Sequence, residues 1–157
     1  MALRGLVGLL VAIAVCFAAA GIGSLATVDA IPTWYAALHK PSWNPPNWIF
    51  GPVWSLLYLM MAVAAWLVWR TAGWSGAPLA LGLFAVQLVL NVGWSLVFFG
   101  LHRPGWAFAE IVVLWGAILA TLLLFWPIRP IASLLLTPYL AWVTFASGLN
   151  LAIWRLN

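Results

Sequence analysis

Five long apolar runs, at about 5–26, 47–69, 78–100, 105–126 and 131–153, are separated by short polar punctuation. Each holds roughly 22 residues, which at about 1.5 Å rise per residue makes a helix able to cross a hydrocarbon layer of about 30 Å. None of the runs alternates apolar with polar positions, as strands of a transmembrane barrel would. The pattern predicts an all-α membrane protein: a bundle of five transmembrane helices in one domain over 1–157. The connections at about 70–77, 101–104 and 127–130 are short, so the helices they join should run antiparallel. The connection at about 27–46 is three to four times longer than an ordinary loop.

Within the first run, Arg4, an apolar stretch and the triplet 18-AAA-20 resemble a secretory signal. The apolar character continues to about Ala26, longer than the 7–15 residues of a signal's core, which favours a retained span. Arg4, Arg70 and Arg129 fall on one side of a five-span topology, and Lys40, Arg103 and Arg155 on the other. The excess of Lys and Arg that marks a cytoplasmic face is therefore balanced, three against three, and chooses no orientation.

Patterning along the helices points inward at several places. Gly8, Ala12, Cys16, Ala20 and Ser24 repeat every four residues, a small-residue face that allows close helix approach within the monomer or across a dimer. Gln87, Asn91 and Ser95 share one face of the third helix, flanked by Trp94. Polar groups are costly against lipid, so this face looks into the bundle, either holding helices together or orienting a ligand. On the fifth helix Tyr139, Trp142, Ala146 and Leu149 form a further inward face. Pro138 and Pro52 should each free a carbonyl and kink their helices, widening the end of the bundle near the long loop.

The long loop carries 40-KPSWNPPNW-48, stiff and aromatic, which reads as a lid over a cavity, with Lys40, Pro41, Trp43, Pro45 and Pro46 as its residues. Composition sharpens this. The chain has 67% hydrophobic and 5% charged residues, against roughly 25% charged in soluble domains. Its six Lys and Arg are scattered singly, which excludes a nucleic-acid patch. A lone Cys16 excludes an intrachain disulfide and a cysteine-based metal cluster, and no metal site is expected.

There are thirteen tryptophans. Trp34, Trp43, Trp48, Trp69, Trp74, Trp126 and Trp154 lie near the ends of the runs, as an interfacial belt requires. Trp54, Trp94, Trp115 and Trp142 lie inside them, where each indole N–H needs a partner, as core filler or as the walls of an aromatic cavity for a flat apolar ligand. Glu110 is the one acid inside a span, a functional candidate by position, or a structural one paired with His102 or Arg103 near a helix N-terminus. One carboxylate is a thin basis for an ion-coupled pump.

The segments 34-WYAALHKPSWNPPNWIFGPVWSLLY-58, 91-NVGWSLVFFG-100, 104-PGWA-107 and 138-PYLAWVTFASGLNLAIWRLN-157 resemble the TspO/MBR family of bacterial tryptophan-rich sensory proteins and mitochondrial translocator proteins, the peripheral benzodiazepine receptors. The resemblance implies a five-helix bundle, often a homodimer, in a lipid bilayer, here a bacterial membrane. Its pocket would be closed by the loop between helices 1 and 2. It implies no required cofactor and a tetrapyrrole ligand, protoporphyrin IX or haem.

Carried onto this chain, the family's ligand-binding positions are Tyr35, Phe50, Gly51, Trp54, Asn91, Trp94, Trp106, Ala109, Trp142, Ala146 and Leu149. Lys40 and His39 would then meet a porphyrin's propionates. Some members are similar in degrading porphyrins in light, a reaction for which Trp54 and Trp142 would be the candidate residues; no nucleophile–base pair offers another catalytic centre. The family's C-terminal cholesterol pattern is broken in 149-LNLAIWR-155, where Leu151 stands in place of tyrosine, so sterol binding is not expected.

Overall fold

In a computed structural model, which describes residues 2–157, the five apolar runs are five helices: α1 (Ala2–Thr27), α2 (Phe50–Gly76), α3 (Pro78–Ser95), α4 (Pro104–Phe125) and α5 (Pro130–Leu156). α3 ends in a wider π turn over Leu96–Gly100. Each is long and apolar enough to cross a membrane. Proline occupies the first position of α3, α4 and α5, where its missing N–H would have had no intrahelical partner and its fixed φ suits the first turn.

α1 packs on α2 and α3, α2 on α5, α5 on α4, and α4 on α3, so the helices close a ring in the order α1–α2–α5–α4–α3. The outside of the ring is apolar: Leu3, Val89 and Trp106 are each more than 70% exposed. Only 11% of the apolar stretch of α1 is buried against protein. Such a surface is stable against acyl chains and not against water. Trp43, Trp48, Trp74, Trp126 and Trp154 are exposed near helix ends, where the amphipathic indole suits the interface.

The inward stripes follow helical spacing. On α4, Ala107, Ile111, Leu114, Ile118, Thr121 and Phe125 are all buried, recurring every three to four residues. Part of the small-residue content of α1 serves contacts within the chain, while Ser24 at the end of the stripe is exposed. Cys16 is buried, the Trp69 ring fills the space a Cβ on Gly8 would need, and a Cβ on Gly23 would stand 3.3 Å from Ser95 Oγ.

Two expectations change. α2 continues to Gly76 rather than ending near 69, leaving Ala77 alone between it and α3. Its break is at Gly73 (φ 67°, ψ −178°), not at Pro52. Pro52 is the third residue of α2, inside the first turn, where proline is tolerated and produces no kink. Pro138 does lie inside α5.

Glu110 also differs. Both its carboxyl oxygens are buried with no hydrogen-bond partner, and neither His102 nor Arg103 pairs with it. The neighbouring backbone is Gly93, where a Cβ would sit 3.7 Å from Glu110 Oε1. His102, in the left-handed region at φ 55°, turns instead to stack on Trp34, ring centroids 4.3 Å apart and 19° from parallel.

Candidate functional site: an aromatic cavity under the first loop

A cavity of about 510 Å³ opens inside the loop end of the ring, within the roughly 300–1,000 Å³ of small-molecule pockets. From α2 it is lined by Phe50, Gly51 and Trp54, and from α3 by Asn91 and Trp94. α5 contributes Trp142, Ala146 and Leu149, and the loop contributes Tyr35. The aromatic walls brace one another. Phe50 meets Trp142 edge-on at 6.1 Å, Trp94 stacks on Phe98 at 5.2 Å, and Trp54 meets Tyr139 edge-on at 6.2 Å. These are favourable geometries for aromatic pairs.

Trp106 and Ala109 do not reach the cavity. Both are exposed on the outer face of α4, roughly opposite its buried stripe, and α4 contributes nothing to the wall. Trp115 is also elsewhere, in a shallow groove between α4 and α5, where its indole donates to Thr144 Oγ1 at 2.8 Å.

Behind the wall runs a chain of buried hydrogen bonds that joins three helices. Tyr58 donates to Asn91 Oδ1 (2.6 Å), Asn91 Nδ2 donates to the Tyr139 hydroxyl (2.8 Å), and that hydroxyl donates to Gln87 Oε1 (2.8 Å). Gln87, Asn91 and Tyr139 are each at most 3% exposed. The inward stripe of α3 therefore divides. Gln87 is a structural tie, whereas Asn91 is both tied and presented to the cavity. One lone pair and one N–H of its amide are used, so one of each is left for a ligand.

Tyr58, Gln87 and Tyr139 escaped the sequence reading as a unit because their partners lie 26 to 52 residues apart in the chain. Asn150 escaped it too. It accepts the Trp94 indole N–H at 3.0 Å and donates to the Pro104 carbonyl at 2.8 Å, fixing one wall ring and the start of α4. Trp54 and Trp142 line the cavity and donate to no acceptor among the described residues, so their indole N–H groups are unclaimed.

The loop is built differently from a proline lid. Its roof is Val28, Ile31, Tyr35 and Asn47, and none of Lys40, Pro41, Trp43, Pro45 or Pro46 lines the cavity. Residues 31–37 coil into helical turns that drop Tyr35 into the bundle at 3% exposure. Tyr35 donates to Asn44 Oδ1 at 2.8 Å. Burial pushes its hydroxyl pKa up, which the Asn44 bond partly offsets.

The proline-rich segment buttresses this roof. Lys40 Nζ donates to the carbonyls of Tyr35 (2.7 Å), Leu38 (2.9 Å) and Ala36 (3.3 Å) and sits 4.9 Å above the Tyr35 ring. It is thereby committed to the loop and does not face a ligand. Trp43 packs edge-on against Phe145 of α5 at 5.7 Å.

A latch ties the loop to the end of α5. Asn157 Oδ1 accepts the His39 N–H and Asn157 Nδ2 donates to the His39 carbonyl, both at 2.9 Å. Asn157→Ala is expected to raise amide exchange at His39 and proteolysis of the loop while leaving α5 protected. Hydrogen exchange read by mass spectrometry checks this, and an unchanged loop would mean the latch carries no weight.

The cavity wall contains no Lys, Arg, His, Asp or Glu. The TspO/MBR family model matches residues 12–155, nearly the whole chain. The chain belongs to the TspO/MBR family. It is 47% identical over 147 residues to a tryptophan-rich protein TspO of Chlorobaculum tepidum, covering 92% of both chains. It is 44% identical over 126 residues to the human translocator protein, covering 79% of this chain and 75% of that one. Protein CrtK of Rhodobacter capsulatus is 41% identical over 141 residues, 89% of this chain and 88% of its own. As a TspO/MBR protein with five spans it is an integral, multi-pass membrane protein, consistent with a receptor or transport role, and its bacterial relatives support a bacterial membrane.

Proposed function

We propose that this TspO/MBR protein is a receptor or transport protein that binds flat, apolar ligands of the porphyrin class, such as protoporphyrin IX or haem, in the cavity beneath the first loop. One observation carries the reading: three indole rings, Trp54, Trp94 and Trp142, converge on a single uncharged hollow. Indole faces stack on a planar π-system, and the unclaimed N–H groups of Trp54 and Trp142 supply donors to its edge. With no cation in the wall and Lys40 held by carbonyls, the macrocycle occupies the cavity while its propionates stay outside.

Micromolar binding requires only about 8 kcal/mol, which burial of such a ring can supply. Trp54→Leu and Trp142→Leu are each expected to weaken protoporphyrin IX binding about tenfold, a loss of about 1.4 kcal/mol, in a fluorescence-quenching titration. Unchanged affinity in both variants would remove the site from this cavity. The same samples under illumination report on the second role these rings offer. A new absorbing product that disappears with either substitution would move the reading from binding to photo-oxidative degradation.

A further inference from the structure

α1 and α2 run antiparallel and pack together from the end away from the loop to about the middle of each helix. There the Trp66 indole donates to the Gly5 carbonyl at 2.8 Å, and Trp69 lies against Gly8. Nearer the loop Phe17 and Tyr58 still approach, ring centroids 6.5 Å apart. Beyond them, the exposed cavity-lining residues of the two helices are all small, Gly21 and Ser24 on α1 and Gly51 and Ser55 on α2.

All four of these residues line the cavity, and all four are exposed. The cavity residues contributed by α3 and α5 are buried or half-buried, without exception. The exposed part of the wall is thus confined to one stripe of α1 (Phe17, Gly21 and Ser24), the start of α2 (Gly51 and Ser55), and the two roof residues that flank them, Val28 and Asn47. A Cβ built on Gly21 or on Gly51 would meet no atom within 4 Å. At both positions the space beside the helix is open, which leaves a slot at this level of the wall.

Gly21 lies six residues before the end of α1, roughly 9 Å along its axis, and Ser55 is at a similar depth from the start of α2. The inner part of the slot, at Gly21 and Ser55, therefore lies at acyl-chain depth, while Ser24 and Gly51 lie nearer the helix ends. By contrast the loop above is held shut by the Asn157–His39 latch, the Tyr35–Asn44 bond and the three carbonyls around Lys40.

We propose that the slot between α1 and α2 is a lateral portal, through which an apolar ligand dissolved in the bilayer enters and leaves the cavity without lifting the loop. The proposal rests on the binding reading above for its cargo, and on the wall asymmetry alone for its geometry. A molecule that partitions into lipid is concentrated where the slot opens, and no charged side chain lines the way. The small residues are what keep it open.

The test fills the slot. Gly21→Leu combined with Gly51→Leu places side chains in space that the structure leaves empty, and an unchanged melting temperature checks that the fold survives. Association and dissociation of protoporphyrin IX are followed by stopped-flow tryptophan quenching in vesicles. A blocked route must slow both directions, so both rate constants are expected to fall at least tenfold. Asn157→Ala, which frees the loop, is expected to leave both within twofold. Unchanged rates in the filled variant, a rise in dissociation alone, or faster entry in Asn157→Ala would each overturn the portal.

A second measurement needs no porphyrin. A phospholipid with a diazirine on its acyl chain, photolysed in the vesicles, is expected to label Trp54 or Tyr58 in the native chain and neither in the filled variant. Labels confined to outward-facing residues would overturn the portal. If protoporphyrin IX fails to quench the native protein, the binding reading falls and this lipid measurement still decides the route.

Discussion

Gly73→Ala is expected to destabilise the protein by about 1–3 kcal/mol, read as a lower melting temperature in detergent. Gly73 sits at φ 67° and ψ −178°, a backbone region open essentially to glycine alone. A Cβ there would meet no atom within 4 Å, so the cost is backbone strain and not crowding. The break redirects the chain just before Ala77 hands it to Pro78 at the start of α3. An alanine must either hold the strained conformation or let α2 run straight, displacing α3. Gly82→Ala is the matched control: it also has free space, but lies within regular α3, where alanine is the better helix former by about 1 kcal/mol. The two substitutions should therefore have opposite signs. If Gly73→Ala proved neutral or stabilising, α2 would not break where the structure breaks it.

Gly73 also marks where sequence reading fell short. An isolated glycine among apolar residues announces neither a bend nor its direction, so the pattern alone ends α2 near 69 and points to Pro52 for a kink. What decided the matter was register. Proline disturbs a helix only after the first turn, and α2 begins at Phe50, too late for Pro52 to disturb it. The spans themselves were legible because lipid imposes a length and apolar composition on every helix that crosses it.

The site was legible in proportion to how far each residue's orientation follows from its own helix. Asn91 had to face inward because an amide facing lipid is costly. Trp142, Ala146 and Leu149 followed from spacing along α5. Trp106 and Ala109 were carried over by family resemblance, and the periodicity of α4 argued against them: its buried face passes through Ala107 and Ile111, leaving both neighbours outside. The proline-rich stretch is the conspicuous candidate for a lid, but stiffness suits a buttress, and the roof is the less conspicuous stretch that ends in Tyr35. Glu110 had candidate partners close in sequence, but His102 is taken up by Trp34 in the turn.

Tyr139→Phe is the second large effect expected, a loss of about 1–3 kcal/mol in unfolding from a change of one oxygen. The Tyr139 hydroxyl stands in the middle of the buried chain, accepting from Asn91 and donating to Gln87, at 0% exposure. Removing it orphans an amide donor on α3 and, one turn away, an amide acceptor, where no water reaches. Each such orphan costs about 1–3 kcal/mol in general. In membrane interiors single interhelical bonds average about 0.6 kcal/mol and reach about 1.7, because the separated helices also find partners. Two bonds lost together set the range. Tyr58→Phe removes one bond, the donor to Asn91 Oδ1, and should cost less than half as much. The two substitutions share Asn91, so the double variant should be milder than the sum of the singles. The Asn91 amide, once released, is free to rotate, so Tyr139→Phe should also weaken a ligand that bonds to it, although Tyr139 does not line the cavity. Equal costs for Tyr139→Phe and Tyr58→Phe in detergent unfolding, with strict additivity, would mean that the four groups act as separate pairs and that the wall behind the cavity is held by packing alone.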